Sequence, residues 1–124
     1  MANRLVVIDD DPALRVLLSE TMALQGFDVD AFGSGAEAIE KAEWGRTGSA
    51  LIDWMMPGMS GVEVVDWLAA HHPDVRRIIV TAAADALLVQ HPEIVDRAAV
   101  LAKTDFSGPR VAEMIEATWP PSTA

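Results

Sequence analysis

The chain has 124 residues, 51% of them hydrophobic, with a formal net charge of −10 and no cysteine. That is the size of one domain with a real core to bury, and an acidic balance without any basic run argues against a nucleic-acid surface, which needs clustered Lys and Arg. The lack of cysteine excludes disulfides, thiolate metal sites and cysteine nucleophiles, and no uncharged run approaches the ~18 residues of a membrane span.

Leu5-Val6-Val7-Ile8 reads as a parallel strand buried on both faces. It is too short for a signal-peptide core and ends in Asp9-Asp10-Asp11. Pro12 suits the first turn of a helix. Leu14, Leu17, Leu18 and Met22 then form one apolar stripe on a helix that runs to about Gln25 and is stopped by Gly26. Residues 27–32 alternate with period two, as a half-buried or edge strand does. Ser34, with Glu37 three residues on, caps a second helix that turns Ala38, Ile39 and Ala42 inward and ends near Trp44-Gly45.

Ser49-Ala50-Leu51-Ile52 is a third strand that climbs to Asp53 and breaks at once into a turn punctuated by Pro57, Gly58 and Gly61. A third helix follows from about Gly61 to His71, with Val64, Val65 and Leu68 on one face, and His72-Pro73 ends it. Residues 78–81 form a fourth strand ending in Thr81. Residues 82–89 suit a short fourth helix that His91-Pro92 interrupts. Residues 99–102 are the fifth strand, ending in Lys103, and residues 104–108 a loop. Pro109 opens a fifth helix with Val111, Met114, Ile115 and Thr118 at i, i+3, i+4 and i+7. The tail, residues 120–124, is linker-like.

Five strands alternating with five helices define an α/β fold, a doubly wound parallel sheet, for which the flavodoxin-like order 2-1-3-4-5 suits five strands. Strands 1 and 3 are then neighbours at the switch point. Asp9, Asp10 and Asp53 converge at their C-terminal ends, with Thr81 and Lys103 on the same edge. Three converging carboxylates call for a cation. Mg²⁺ suits oxygen ligands and keeps positions for water and phosphate oxygens. Carboxylate, Mg²⁺, Lys and Thr together neutralise and orient a phosphoryl group, and an Asp can attack it to form an aspartyl-phosphate. Asp53, alone on its strand end, fits the nucleophile; Asp9 and Asp10 fit the metal.

Four motifs in order carry a family resemblance: Ile8-Asp9-Asp10-Asp11-Pro12, the stretch from Asp53 through Met55-Met56-Pro57-Gly58 to Gly61, Val80-Thr81-Ala82, and Ala102-Lys103. On these the chain resembles a stand-alone response-regulator receiver domain of two-component signalling, along essentially its whole length. The resemblance implies that Asp53 accepts phosphate from a histidine kinase or histidine phosphotransfer protein in the cytoplasm. It implies that Asp10, Asp53 and the backbone carbonyl of Met55 ligate Mg²⁺, with Asp9 assisting. Lys103 pairs with a phosphoryl oxygen. Thr81 reports the modified state to a protein target through the face of helix 4, strand 5 and helix 5. Such a domain is a switch or relay rather than a turnover enzyme.

The chain departs from the family pattern in three places. Thr104 follows Lys103 where the family has Pro. Val100 stands where an aromatic residue often swings with the Thr, so coupling must use another route. The region of the fourth helix, residues 85–97, lacks the usual Gly and contains Pro92. In this family the residues two after the Asp and two after the Thr set phosphoryl lifetime. Here they are Met55 and Ala83, and neither holds a water by side-chain hydrogen bonds, which implies slow self-dephosphorylation.

Plainer roles suit several other residues. Asp11 reads as a solvated helix-start residue, His71-His72 as an exposed helix end, His91 as loop, and Trp44, Trp67 and Trp119 as packing. Trp54 adjoins the acid cluster. An aspartyl-phosphate phosphatase is disfavoured because Met55 stands where such enzymes carry a second Asp. A receiver-like interaction module that does not depend on phosphorylation is the main alternative.

Overall fold

Strands that are apolar on both faces need cover on both faces. The computed structural model of the chain describes residues 3–117 and meets that need with a parallel sheet of five strands. The strands are β1 (Arg4–Ile8), β2 (Asp28–Phe32), β3 (Thr47–Ile52), β4 (Arg76–Thr81) and β5 (Ala99–Ala102), in the order β2-β1-β3-β4-β5. The helices are α1 (Pro12–Leu24), α2 (Gly35–Lys41), α3 (Gly61–His71), α4 (Ala84–Gln90) and α5 (Gly108–Glu116). This is the expected doubly wound order, and the winding reverses between β1 and β3. Thr118 of the α5 stripe, Trp119 and the tail lie outside the described residues.

The two-residue period of the strands divides the core into two layers. Val6, Ile8, Ala50, Ile52 and Ile79 pack with Ala38 of α2, Val64, Val65 and Leu68 of α3, and Leu87 of α4. Leu5, Val7, Leu51, Ile78, Val80 and Leu101 pack with Leu18 and Met22 of α1 and with Val111 and Ile115 of α5. Each fully buried aliphatic side chain contributes about 1.5–3 kcal/mol relative to exposure, which is why α1 and α5 occupy one face and α2, α3 and α4 the other.

Three local departures from expectation have physical reasons. In α1 the buried residues are Leu18 and Met22, whereas Leu17 is 54% exposed; it sits about 100° round the helix from Leu18, on the rim of the seam. Helix α2 stops at Lys41 rather than near Trp44-Gly45, because Ala42 turns extended. That turn lets Trp44 bury its ring and donate from Nε1 to the Ala38 carbonyl at 3.1 Å. The loop expected after β5 begins instead as a 3₁₀ turn, Lys103–Asp105, which the Phe106 N–H closes by donating to the Lys103 carbonyl at 3.3 Å.

Helix α4 has seven residues, and a 3₁₀ turn, Pro92–Asp96, follows it. Pro92 lacks the N–H a continuing helix needs, and His91 caps the end. The turn is strapped down from outside. The buried Arg77 of β4 donates from Nε to the Arg97 carbonyl at 2.7 Å. The Arg97 guanidinium pairs with Asp66 of α3 and lies 3.8 Å from Glu93.

Candidate functional site

The register of β1 with β3 pairs Ile8 with Ile52, so the next residues, Asp9 and Asp53, emerge side by side. The ladder runs one bond further: the Asp53 N–H donates to the Ile8 carbonyl at 2.9 Å, and the Asp9 N–H to that of Phe32 at 3.2 Å. On the far side β4 pairs Thr81 with Ala102, which delivers Lys103 to the same edge. Four of the anticipated residues therefore meet. Asp9, Asp10 and Asp53 each offer a carboxylate oxygen within 4.8 Å of the others. Lys103 Nζ lies 3.7 Å from Asp53 Oδ1 and 3.9 Å from Asp9 Oδ2.

Burial sets the electrostatics. Asp9 is 1% exposed and Asp53 9%, while Asp10 faces solvent. Desolvation, reinforced by the charge of Asp9, pushes the Asp53 carboxyl up to about 6 against the pull of Lys103. Burial also raises Asp9, opposed first by its bond from the Asp11 N–H and then by Lys103. One ammonium beyond hydrogen-bond length serves two nearly buried carboxylates.

The site also passes a test for a hard cation. Asp9 Oδ1 accepts from the Asp11 N–H at 3.0 Å, but Asp9 Oδ2 is buried with no hydrogen-bond partner. A buried, unpaired carboxylate oxygen is costly. Oriented beside two further carboxylates, it suits Mg²⁺, which binds through oxygens. Asp11 takes no part: its side chain caps α1, accepting from the N–H groups of Ala13 and Leu14.

Thr81 is buried at the end of β4, and its hydroxyl oxygen accepts from the Ala83 N–H at 3.0 Å. The hydroxyl proton remains available to another acceptor. Met55 presents a 67% exposed side chain two residues from Asp53. Val100 is half-buried against the core layer that holds Leu87 and Trp54.

Sequence reasoning missed one support and read the other only as turn punctuation and a helix start. Arg15, one turn into α1, donates from Nη1 to the Asp9 carbonyl at 2.8 Å and so holds the base of the acid cluster. Nothing in its spacing marked it. Gly61 brings the start of α3 against the strand end: a Cβ there would overlap the Asp53 carbonyl oxygen and lie 2.9 Å from Trp54 Cα. The Gly61 N–H donates to the Trp54 carbonyl at 2.8 Å. Ser60 and Glu63 close a reciprocal capping box over this helix start.

A doubly wound sheet with an acid cluster, Lys and Thr at the carboxyl ends of its strands defines a class of α/β domain with an acidic site fitted to a cation. Residues 5–116 match the family model of the response regulator receiver domain, and the chain belongs to that family. It is thus a module of phosphorylation-based two-component signalling. Among solved structures it is similar to the response regulator TrrA of Thermotoga maritima in complex with Mg²⁺ and beryllium fluoride, with TM-score 0.79 and 28% identity, covering 94% of this chain and 97% of that one. A CheY-like receiver domain protein of Methanospirillum hungatei shares the fold, with TM-score 0.78, 24% identity and coverage of 94% and 92%. Among curated proteins, the DNA-binding response regulator MtrA of Mycolicibacterium smegmatis is 37% identical over 70 residues, 56% of this chain and 31% of that protein. A cyclic di-GMP phosphodiesterase of Thermotoga maritima is 35% identical over 85 residues, 68% of this chain and 23% of that protein. The chain thus spans less than a third of the length of these two curated relatives. Among the described residues no helix is long and apolar enough to cross a membrane.

Proposed function

We propose that Asp53 is the phosphoryl acceptor of a Mg²⁺-dependent signalling switch, contained in a single receiver domain over residues 1–124. The observation that carries this is the convergence of Asp53, the Asp9 Oδ2 that has no hydrogen-bond partner, and the Lys103 ammonium that faces both. Asp9, Asp10, Asp53 and the Met55 carbonyl would hold Mg²⁺. When bound, the ion supplies positive charge to the carboxylates and to phosphoryl oxygens.

The donor is the phosphohistidine of a partner kinase or phosphotransfer protein. An Asp53 carboxylate oxygen forms a bond to phosphorus as the P–N bond breaks. The electron pair stays on the departing imidazole nitrogen, which takes up a proton. Lys103 balances charge on the phosphoryl oxygens, and Thr81 turns its hydroxyl proton to one of them. Because the hydroxyl oxygen itself moves inward to reach the phosphoryl group, Thr81 leaves the Ala83 N–H, which ties it to the start of α4. The altered face of α4, β5 and α5 then meets a protein target or passes the phosphoryl group on. The net charge of −10 favours protein partners over nucleic acid. On family resemblance alone we place this exchange in the cytoplasm, and we assign the chain no turnover chemistry.

Acetyl phosphate with Mg²⁺, followed by intact mass, tests the reading. A single phosphoryl adduct that Asp53→Asn abolishes is expected. No adduct from acetyl phosphate or a phosphohistidine donor would instead indicate an interaction module independent of phosphorylation, and catalytic release of phosphate would indicate a phosphatase.

A further inference from the structure

Val100 removes the aromatic residue that could move with Thr81, yet an aromatic side chain lies immediately next to the acceptor. Trp54 follows Asp53 directly and is buried in the same core layer as Leu87, Ile94 and the half-buried Val100. Its ring meets that of His91 edge to face, with centroids 6.2 Å apart and planes at 85°. His91 is the C-cap of α4, and its N–H donates to the Leu87 carbonyl at 2.8 Å.

The backbone beneath Trp54 cannot drift. The Asp53 N–H is bonded to Ile8, the Trp54 carbonyl accepts from Gly61, and residue 61 has no room for a Cβ. Beyond His91 the chain is held as well, because Arg77 and Asp66 grip Arg97. The other end of α4 is held more lightly. Ala83, its N-cap, makes no side-chain cap bond, and its N–H depends on the Thr81 hydroxyl. Of the residues of α4, Leu87 is the buried one.

We propose that the Trp54–His91 contact is the pivot of α4: it fixes the C-terminal end of the helix to the acceptor loop, so that release of Ala83 by Thr81 swings the N-terminal end. The proposal rests on the phosphoryl-acceptor reading above and adds how that site is read out. A seven-residue helix hinged at one end converts a small movement of a hydroxyl into a displacement of the exposed Asp85 and Ala86 near its free end. The route needs no aromatic residue on β5.

The test is residue-resolved amide exchange with and without excess acetyl phosphate and Mg²⁺, with adduct occupancy followed by intact mass on the same samples. In the unaltered chain, adduct formation should speed exchange at Ala83 and at Leu87, whose N–H is bonded to the Ala83 carbonyl. The amides of Gln90 and His91 should hold. In His91→Ala the C-terminal end should loosen too, with exchange at Gln90 and residue 91 rising on modification by roughly two- to tenfold, the scale of one edge-to-face ring pair. His91→Phe, which keeps a ring, should restore the asymmetry. Equal adduct occupancy in the three proteins with the same asymmetry in His91→Ala overturns the pivot and leaves the acceptor reading standing. Absence of any adduct in the unaltered chain overturns both.

Discussion

The carbonyl oxygen of Asp53 occupies the place that a Cβ on residue 61 would need, so the acceptor strand and the first turn of α3 touch backbone to backbone. Gly61→Ala must push α3 away from the strand end. The expected loss is about 1–3 kcal/mol of stability, the range for overpacking, with slower phosphoryl uptake because Asp53 shifts too. Gly58 offers a control. Its φ is +76° with open space around it, so Gly58→Ala carries backbone strain alone, about 1–2 kcal/mol. Urea denaturation and acetyl phosphate kinetics on both variants separate the effects. Uptake slowed no more in Gly61→Ala than in Gly58→Ala would show that the overlap does not matter to the site.

The raised Asp53 carboxyl predicts an unusual dependence of stability on pH in the absence of Mg²⁺. The folded chain keeps the proton to about pH 6, whereas an unperturbed carboxyl loses it near 3.8. The stability attached to that proton is fully present below about pH 4 and is lost as pH rises through about 6. Melting temperature in chelator should therefore carry a component that falls across this window. Asp53→Asn should flatten it and be more stable at pH 7. A profile in Asp53→Asn that parallels the original would remove Asp53 as its source.

Lys103 is the cation shared by Asp9 and Asp53. Lys103→Met should slow phosphoryl uptake about 100-fold, the scale for losing one charge-stabilising donor at a reacting centre. It should also tighten Mg²⁺ binding, since the metal no longer competes with an ammonium for the same carboxylates. Stopped-flow uptake and a Mg²⁺ titration followed by indole fluorescence measure the two arms. Weaker Mg²⁺ binding in the variant would mean that Lys103 organises the acids rather than competing for them.

Met55 is exposed beside the acceptor and offers no hydrogen-bond donor to an attacking water. Met55→Asn adds one. A hydrogen bond of about 1 kcal/mol corresponds to roughly fivefold in rate, so phosphoryl loss should quicken by that factor. The half-life of purified phosphoprotein decides it, and an unchanged half-life would exclude position 55 from control of hydrolysis.

The strand ends that build the site are legible in the sequence because burial on both faces leaves a plain mark: an unbroken apolar run that stops at an acid or a Thr. Asp9, Asp53 and Thr81 are found that way. The limits of α3 are equally plain, since Gly61 and Pro73 punctuate both sides. Other features depend on contacts between segments far apart in the chain. Arg15 resembles any helix arginine until the Asp9 carbonyl is placed beside it. Nothing near Trp44 signals that α2 would end at Lys41 and let the indole N–H donate to the Ala38 carbonyl. His91 reads as loop, and its ring contact with Trp54 spans 37 positions that local periodicity does not link. Leu17 shows the converse: a helical stripe marks a face but not how wide a band of it the sheet will cover.

The sheet separates two core layers, and Trp54, Met56, Leu87, Ile94 and Val100 all belong to one of them. The layer under α1 and α5 contains none of these residues. Movement that starts at Ala83, which packs against that same layer, therefore has the sheet at its back. Half of the molecule can stay in register as a constant mounting surface while the other half changes shape. A partner that grips α1 then meets the same surface before and after the acceptor is modified.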